Sequence, residues 1–400
     1  MSKHKYSALV IIAAICIAMT PFGGLKLAGR GISLYLYAIF AVFAVRQIYL
    51  DKGKLYIEKT QWLFIALLLF FLLSYIWTPA HGGNAVVEGD HSAFVKGSYF
   101  ILILMLFDYS EKDKQLLQLF SLLGTIAMAF YMIFNSAGTY ALQFSNRITL
   151  AIGDSVTEVN YLSFLLIIPT GYAISSILNQ ETNKFLKVLY GISVLLLLYI
   201  LLFTGSRAGI LSIIGTAFFS VIMTLFKSRR IQPRAFLAFF ILGIVVIVVA
   251  PMIYEQLPET IVRRISIQNF LLATSGANGR VDIWKRAFDT MRADNSVFHM
   301  FFGNGFLSAQ VTFGLTLHNL FIQVLFEQGL VGIVTLIILF YRIIRDSIAT
   351  KNVMVLSETI GVLILCMSLA GVISRFFWIC LAMLIICSRP NRTSEEEEYA

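Results

Sequence analysis

The chain has 400 residues, 58% hydrophobic and 13% charged, with a mean hydropathy of +0.82. A soluble core cannot bury that much apolar surface, so lipid must solvate most of it. The formal charge of +9 is dispersed between apolar runs and forms no single basic face, which argues against a nucleic-acid partner and for membrane topology.

A bilayer core takes about 20 apolar residues per helix. In chain order that rule predicts helices over 6–22, 32–50, 61–77, 94–108, 115–134, 159–178, 186–203, 208–226, 235–254, 318–341, 353–372 and 375–388. The expected fold is an all-α polytopic membrane protein of about twelve transmembrane helices. Lys3 and Lys5 before the first run imitate a signal peptide, but the run is long and lacks a clear small-residue cleavage site. It reads as a retained first helix. With the N-terminus cytoplasmic, the inside loops receive most of the lysine and arginine, such as Lys52, Lys54 and Lys59, or Lys227, Arg229, Arg230 and Arg234. The positive-inside rule therefore predicts both termini on the cytoplasmic side.

Two outside segments exceed simple connectors: 135–158, and the extracytoplasmic loop 255–317 between the ninth and tenth helices. Loops of that length usually carry function, and the second is expected to fold into short helices over the membrane face. The organisation predicted is N-terminal helices over 1–194, a core over 195–345 that includes the loop, C-terminal helices over 346–388, and an acidic cytoplasmic tail over 389–400. No internal repeat of the kind common in secondary transporters is visible.

Thr204-Gly205-Ser206-Arg207-Ala208-Gly209 joins two apolar runs in a tight outer turn. Arg207 is either a diphosphate clamp, since a guanidinium offers several fixed donors without a metal, or a snorkelling arginine beside helix-packing glycines. The long loop adds Arg263, Arg264, Arg280, Lys285, Arg286 and Arg292, unusually basic for an outside segment. His318-Asn319 opens the tenth helix; the imidazole can deprotonate a hydroxyl or simply anchor a helix end. Glu327 falls about 13 Å further along that helix, inside the bilayer, where it completes a polar centre or fixes helix packing near Gly329 and Gly332. Asp154, Glu158, Asn160 and Arg375 are candidates for sugar contacts on the same side. Cys16, Cys366, Cys380 and Cys387 and the other histidines lack metal-ligand spacing, no Asp-x-Asp stretch occurs, and no Walker-type loop is present. Metal and ATP independence are the expectation.

Three motifs in order, Phe203 to Gly209, Gly279-Arg280-Val281-Asp282-Ile283-Trp284 followed by Gly303-Asn304-Gly305-Phe306, and His318 to Gly329, resemble the O-antigen ligase and polymerase family of membrane glycosyltransferases. The resemblance covers about residues 195–345. It implies glycan transfer at the outer face of the bacterial cytoplasmic (inner) membrane, in surface polysaccharide assembly. The donor would be glycan on undecaprenyl diphosphate, and the acceptor a glycan (polymerase) or lipid A-core (ligase). Arg207 and Arg280 would hold the diphosphate and His318 the acceptor hydroxyl, with Asn319, Arg286, Glu327 and Arg375 as further substrate contacts. No cofactor is implied, because the sugar–diphosphate bond carries the energy. Membrane lipid, a flippase and a chain-length regulator are the implied partners. The competing class is a polysaccharide or lipid-linked oligosaccharide transporter, whose polar residues would line a path near the bilayer midplane.

Overall fold

Long apolar runs become helices because a backbone in lipid must satisfy its own hydrogen bonds. A computed structural model describes residues 7–53, 55, 57–79, 85–135, 150–152, 155–157, 159–227, 255, 259–266 and 279–389. The helices are α1 (Ala8–Ala18), α2 (Ile32–Leu50), α3 (Lys59–Ser74), α4 (Ala85–Leu104), α5 (Glu111–Asn135), α6 (Leu162–Leu178), α7 (Lys184–Thr204) and α8 (Arg207–Lys227). Beyond them come α9 (Glu259–Ile265), α10 (Arg280–Ala293), α11 (Val297–Phe302), α12 (Ser308–Phe313), α13 (Leu320–Ala349), α14 (Val353–Cys366) and α15 (Arg375–Ser388). Two small antiparallel hairpins add the only strands among the described residues, Lys26–Leu27 with Arg30–Gly31 and Leu150–Ile152 with Ser155–Thr157.

Helix runs through eleven of the twelve expected segments; the twelfth, 235–254, lies outside the described residues, as do 136–149 and the acidic tail. Among the described residues, six helices are long and apolar enough to cross a membrane, namely α2, α3 with its terminal turn, α5, α7, α8 and α13, and α1, α6, α14 and α15 are shorter apolar helices. Exposed Ile39, Val42 and Val45 on α2 and Val334, Ile337 and Ile338 on α13 form apolar faces of the kind that lipid covers. The chain is a multi-pass membrane protein.

Two boundaries need correction. α4 starts at Ala85, nine residues before the expected 94, because its polar first turns find protein partners instead of water. Gln310 donates to Asp90 at 3.1 Å, and the His91 ring stacks on Tyr75 at 3.6 Å. α14 stops at Cys366, short of the expected 372. The carbonyls that leave the helix there are used elsewhere: the Asn319 amide donates to Met367 at 3.2 Å, and the Trp378 indole to Val372 at 2.8 Å. Segment 255–317 contains short helices as expected, α9 to α12.

Trp378 is the hub of an aromatic cluster, with Phe71 at 5.2 Å, Phe64 and Phe94 at 5.8 Å and Phe377 at 5.4 Å. Phe306, from the loop before α12, plugs this cluster at 4.6 Å from Phe94 and 5.6 Å from Phe71. Aromatic pairs of this kind add roughly 0.5–1.5 kcal/mol each beyond burial, so the loop is anchored to the bundle by packing. At the opposite end, buried Arg389 reaches Glu58 at 3.1 Å and Asp108 at 3.4 Å. Buried Lys114 bonds Glu111 at 2.7 Å and the Arg389 carbonyl at 2.6 Å.

Candidate functional site

α13 is broken at Gly329, whose φ of 61° and ψ of −158° lie outside the helical region. A break strands carbonyls that would have bonded one turn onward. The Gly303-Asn304-Gly305 turn supplies the missing donors. The Asn304 N–H and side-chain amide both donate to the Phe326 carbonyl, at 3.0 and 3.1 Å, and the Gly305 N–H donates to Glu327 at 2.9 Å. Such an approach leaves no room for side chains: a Cβ on Gly303 would strike the Glu327–Gln328 peptide, and one on Gly329 would stand 2.6 Å from the Gly303 nitrogen. The turn is also tied to the end of α3, by the Trp77 indole to the Gly303 carbonyl at 3.2 Å and the Thr78 hydroxyl to that of Phe306 at 2.7 Å.

Glu327, fully buried, therefore stands beside a helix break rather than partway along an uninterrupted span. Its carboxylate accepts from the Gln323 amide and from the Ala309 N–H at 3.4 Å. One turn earlier, Gln323 accepts the Leu317 N–H at 2.7 Å. On the other side, the Trp284 indole of α10 donates to the Leu317 carbonyl at 2.7 Å. Leu317 is thus gripped by both α13 and α10. His318 follows with a left-handed φ of 50°, uncommon for a residue with a side chain and frequent at functional sites. Asn319 then caps α13, accepting from Phe321 at 3.0 Å and Ile322 at 3.1 Å. Fixing both neighbours fixes the imidazole's base, the preorganisation a catalytic group requires. Asn319→Ala is expected to lower the unfolding free energy by about 1 kcal/mol through loss of the cap, measurable as a drop in thermal midpoint in detergent.

The other candidates reach the same end of the bundle by a chain of contacts. Arg207 is the first residue of α8, after a turn in which Ser206 accepts from the Gly209 N–H at 3.3 Å and from the Ser163 hydroxyl of α6 at 3.4 Å. Tyr161, just before α6, donates to the Ala370 carbonyl at 3.4 Å, and Asn319 donates to Met367 of the same segment. Segment 367–374 therefore bonds both Tyr161, two residues before the Ser163 that meets the Arg207 turn, and Asn319, beside His318. Arg280 opens α10, one turn before the Trp284 that holds Leu317. Arg207, Arg280 and His318 are each half-buried.

Arg286 and Arg375 have partners within the chain. The Arg286 guanidinium lies 5.4 Å from the Phe313 ring. That of Arg375 donates to the Thr20 carbonyl at 3.3 Å, packs over Gly23 and lies 5.2 Å from the Phe376 ring, so it ties the first helix to the last. Asp154, Glu158 and the side chain of Arg264 lie outside the described residues. Among the described residues, no three of His, Cys, Asp and Glu stand together as ligands for a metal ion.

Beside the break, Phe288, Met291, Met300, Leu325, Asp294 and His299 help line a pocket of about 250 Å³. The Ser296 N–H, bonded at 2.9 Å, chiefly holds the Asp294 carboxyl below the usual carboxylate range; burial opposes it, and the His299 ring, at 2.5 Å, adds to the lowering. A depressed folded value means stabilisation that is present above the unfolded value of about 3.9 and lost as pH falls through the folded one. Acidification below about pH 4 is expected to lower the hydrogen-exchange protection factors of α11, the rates being divided by their intrinsic values at each pH, and Asp294→Asn to remove that loss of protection.

Sequence reasoning passed over Gln323, the Trp284 indole as a clamp on Leu317, and Glu358 within α14. The last had a signal, a lone carboxylate inside an apolar span.

Residues 192–337 match the family model described as O-antigen ligase. No curated protein matches the chain. The matched stretch runs from α7 into α13 and includes the Arg207 turn, α10, the Gly303–Gly305 turn and the His318–Gly329 segment.

Proposed function

From the premise that residues 192–337 of this chain are a domain of the O-antigen ligase and polymerase family, we propose that it transfers glycan from an undecaprenyl diphosphate-linked donor. The reaction occurs at the outer face of the bacterial cytoplasmic membrane, with both termini inside, as part of surface polysaccharide assembly. The supporting observation is the gathering of the Arg207 turn, the start of α10 and His318 at one end of the bundle, with the backbone on both sides of His318 clamped.

In the reaction, the acceptor hydroxyl gives its proton to the His318 imidazole as its oxygen bonds to the anomeric carbon. The bond from that carbon to the diphosphate oxygen breaks, the electron pair stays with the lipid diphosphate, and configuration at the carbon inverts. Arg207 and Arg280 hold the diphosphate and neutralise the charge that grows on it as the bond breaks, and such preorganised electrostatics is usually the largest catalytic contribution. Neither metal nor ATP takes part. Asn319, Arg286, Glu327 and Arg375 were expected among the substrate contacts; in this proposal Glu327 and Asn319 position the His318 segment, and Arg375 anchors the bundle around the site.

The test is incubation of the protein in nanodiscs with a short undecaprenyl diphosphate-linked repeat unit, without ATP or divalent metal, and mass analysis of products. Lengthened lipid-linked glycan identifies a polymerase, and transfer only upon addition of lipid A-core a ligase. Absence of transfer to both, with folding and donor binding verified, would overturn the proposal in favour of transport. In the same assay Trp284→Phe, which keeps the ring and removes the indole N–H, is expected to lower kcat about tenfold with an intact fold, because the Leu317–His318 segment loses one of its two clamps.

A further inference from the structure

α11 carries no residue that the proposed chemistry uses, yet of its six residues, Val297–Phe302, five are large apolar side chains that the fold leaves exposed. The cause is the way its backbone sits. A Cβ on Gly329 would stand 2.6 Å from the Phe301 carbonyl carbon and oxygen, so the last turn of α11 lies backbone-first on the α13 break and its side chains turn outward. His299 takes the polar side, with its ring bonded to Asp294. Phe298 and Phe302 meet α3 and its terminal turn, with ring centroids 5.5 Å from Trp77 and 6.3 Å from Phe70. Val297, Met300 and Phe301, at the spacing of one helix face, point away from His299 and stay 68%, 59% and 43% exposed.

A contiguous apolar face of this kind needs a cover. Two observations make that cover lipid. The first is continuity. Leu73 lies between Phe70 and Trp77 on the same ridge of α3 and is exposed, as are Leu69 and Ile76 beside it, and exposed Val331 and Val334 begin the outer side of α13 just past the break. The α11 face therefore joins the apolar outer sides of two spanning helices. The second is depth. Gly329 stands sixteen residues before Arg345, which pairs with Asp346 at 2.6 Å, where the Thr60 hydroxyl of α3 also bonds at 3.1 Å. That length of helix rises about 24 Å, less than the roughly 30 Å of a hydrocarbon core. With this polar level at one boundary of the core, the level of α11 falls inside the other. Trp77, which packs on Phe298 and donates its indole N–H to Gly303, is of the residue type enriched near that boundary.

We propose that α11 lies in the membrane and not over it: Val297, Met300 and Phe301 pack among the acyl chains of the leaflet nearest His318, with the His299–Asp294 pair on the side away from them. Segment 255–317, expected over the membrane face, thereby dips into the bilayer at α11. The Gly303-Asn304-Gly305 turn follows α11 directly, so burying α11 in lipid also holds that turn on the α13 break.

The experiment places a nitroxide label at Val297→Cys or Phe301→Cys in the full chain, in nanodiscs of phosphatidylethanolamine and phosphatidylglycerol. Cys16, Cys366, Cys380 and Cys387 are buried, so the label goes to the new thiol. Collision rates with oxygen, which concentrates in hydrocarbon, and with a water-soluble nickel chelate are then compared. Val42→Cys, on the exposed apolar face of α2, is the lipid reference, and Asp289→Cys, at an exposed position of α10, the water reference. Oxygen collisions should exceed nickel collisions at both α11 positions, as at Val42→Cys, with the order reversed at Asp289→Cys. Nickel exceeding oxygen at either α11 position overturns the proposal by placing the face in water. Low collision rates with both reagents also overturn it, because they mean that protein, such as a second copy of this chain, covers the face. Valine and cysteine are close in size, so Val297→Cys is read alone if Phe301→Cys does not fold.

Discussion

Arg207→Ala is expected to slow glycan transfer by about 10²–10³-fold at saturating donor, the scale seen when one preorganised donor to a developing charge is removed. Arg207 occupies the first position of α8, directly after a turn locked by Ser206, Gly209 and Ser163. Its guanidinium is thus carried on a rigid element, and little ordering cost remains when a diphosphate arrives. In the proposed reaction, charge growing on the leaving group makes the contacts of Arg207 stronger in the transition state than in the bound donor, so the loss should fall on kcat more than on KM. Arg207→Lys keeps the charge but not the planar fork of donors, and an intermediate loss is expected. The measurement is a single-turnover rate with lipid-linked donor, beside donor affinity measured separately. A rate within about threefold of wild type would remove Arg207 from the diphosphate contacts, since a single charge-assisted bond is worth more than that.

Gly303→Ala is expected to destabilise the protein by about 3 kcal/mol or more. Two costs add there. Gly303 has φ 73° and ψ −177°, a region essentially confined to glycine and costing roughly 1–3 kcal/mol for other residues. The new Cβ would also strike the Glu327–Gln328 peptide, backbone that cannot swing aside as a side chain does. Gly314→Ala is the control: its φ is 71° and ψ 6°, with nothing near the position of a new Cβ, so only the left-handed cost of about 1–2 kcal/mol applies. Thermal unfolding in detergent separates the two, and equal losses would show that close packing of the turn against the α13 break carries no weight. Because the turn caps the break and Glu327 and Gln323 reach from there to Ala309 and Leu317, the Gly303 variant should also loosen the His318 segment, read as faster hydrogen exchange over 309–318.

The helical, membrane-spanning character was legible because it rests on a local property, the length of apolar runs, which needs no knowledge of what packs against what. The Arg207 turn, the start of α10 and His318-Asn319 were legible as elements for a similar reason: each combines glycine or a cap residue with a polar group at the end of an apolar run. The start of α4 at Ala85 was not, since it depends on Gln310, 220 positions away in the chain, meeting Asp90. The stop of α14 at Cys366 was hidden for the same cause, because its freed carbonyls find Asn319 and Trp378 only after folding. Glu327 shows both sides. Its presence in an apolar run marked it, but whether it held a substrate or a helix break turned on the position of the Gly303–Gly305 turn.

The sequence by itself determined that this is a multi-pass helical membrane protein, and it marked the stretch, residues 192–337, that matches the family model described as O-antigen ligase. Hydropathy and family motifs are properties of contiguous residues, and they survive without knowledge of the fold. Only the tertiary structure decided that the Gly303-Asn304-Gly305 turn serves the break at Gly329, that Trp284 and Gln323 hold Leu317 from two sides, and that segment 367–374 bonds both Tyr161 and Asn319. Apart from Gln323 and Leu317, six positions apart, the hydrogen-bond partners are far from each other in the chain. A hydrogen bond is satisfied by whichever group stands within about 3 Å, and in a helical bundle that group is chosen by packing, not by sequence order.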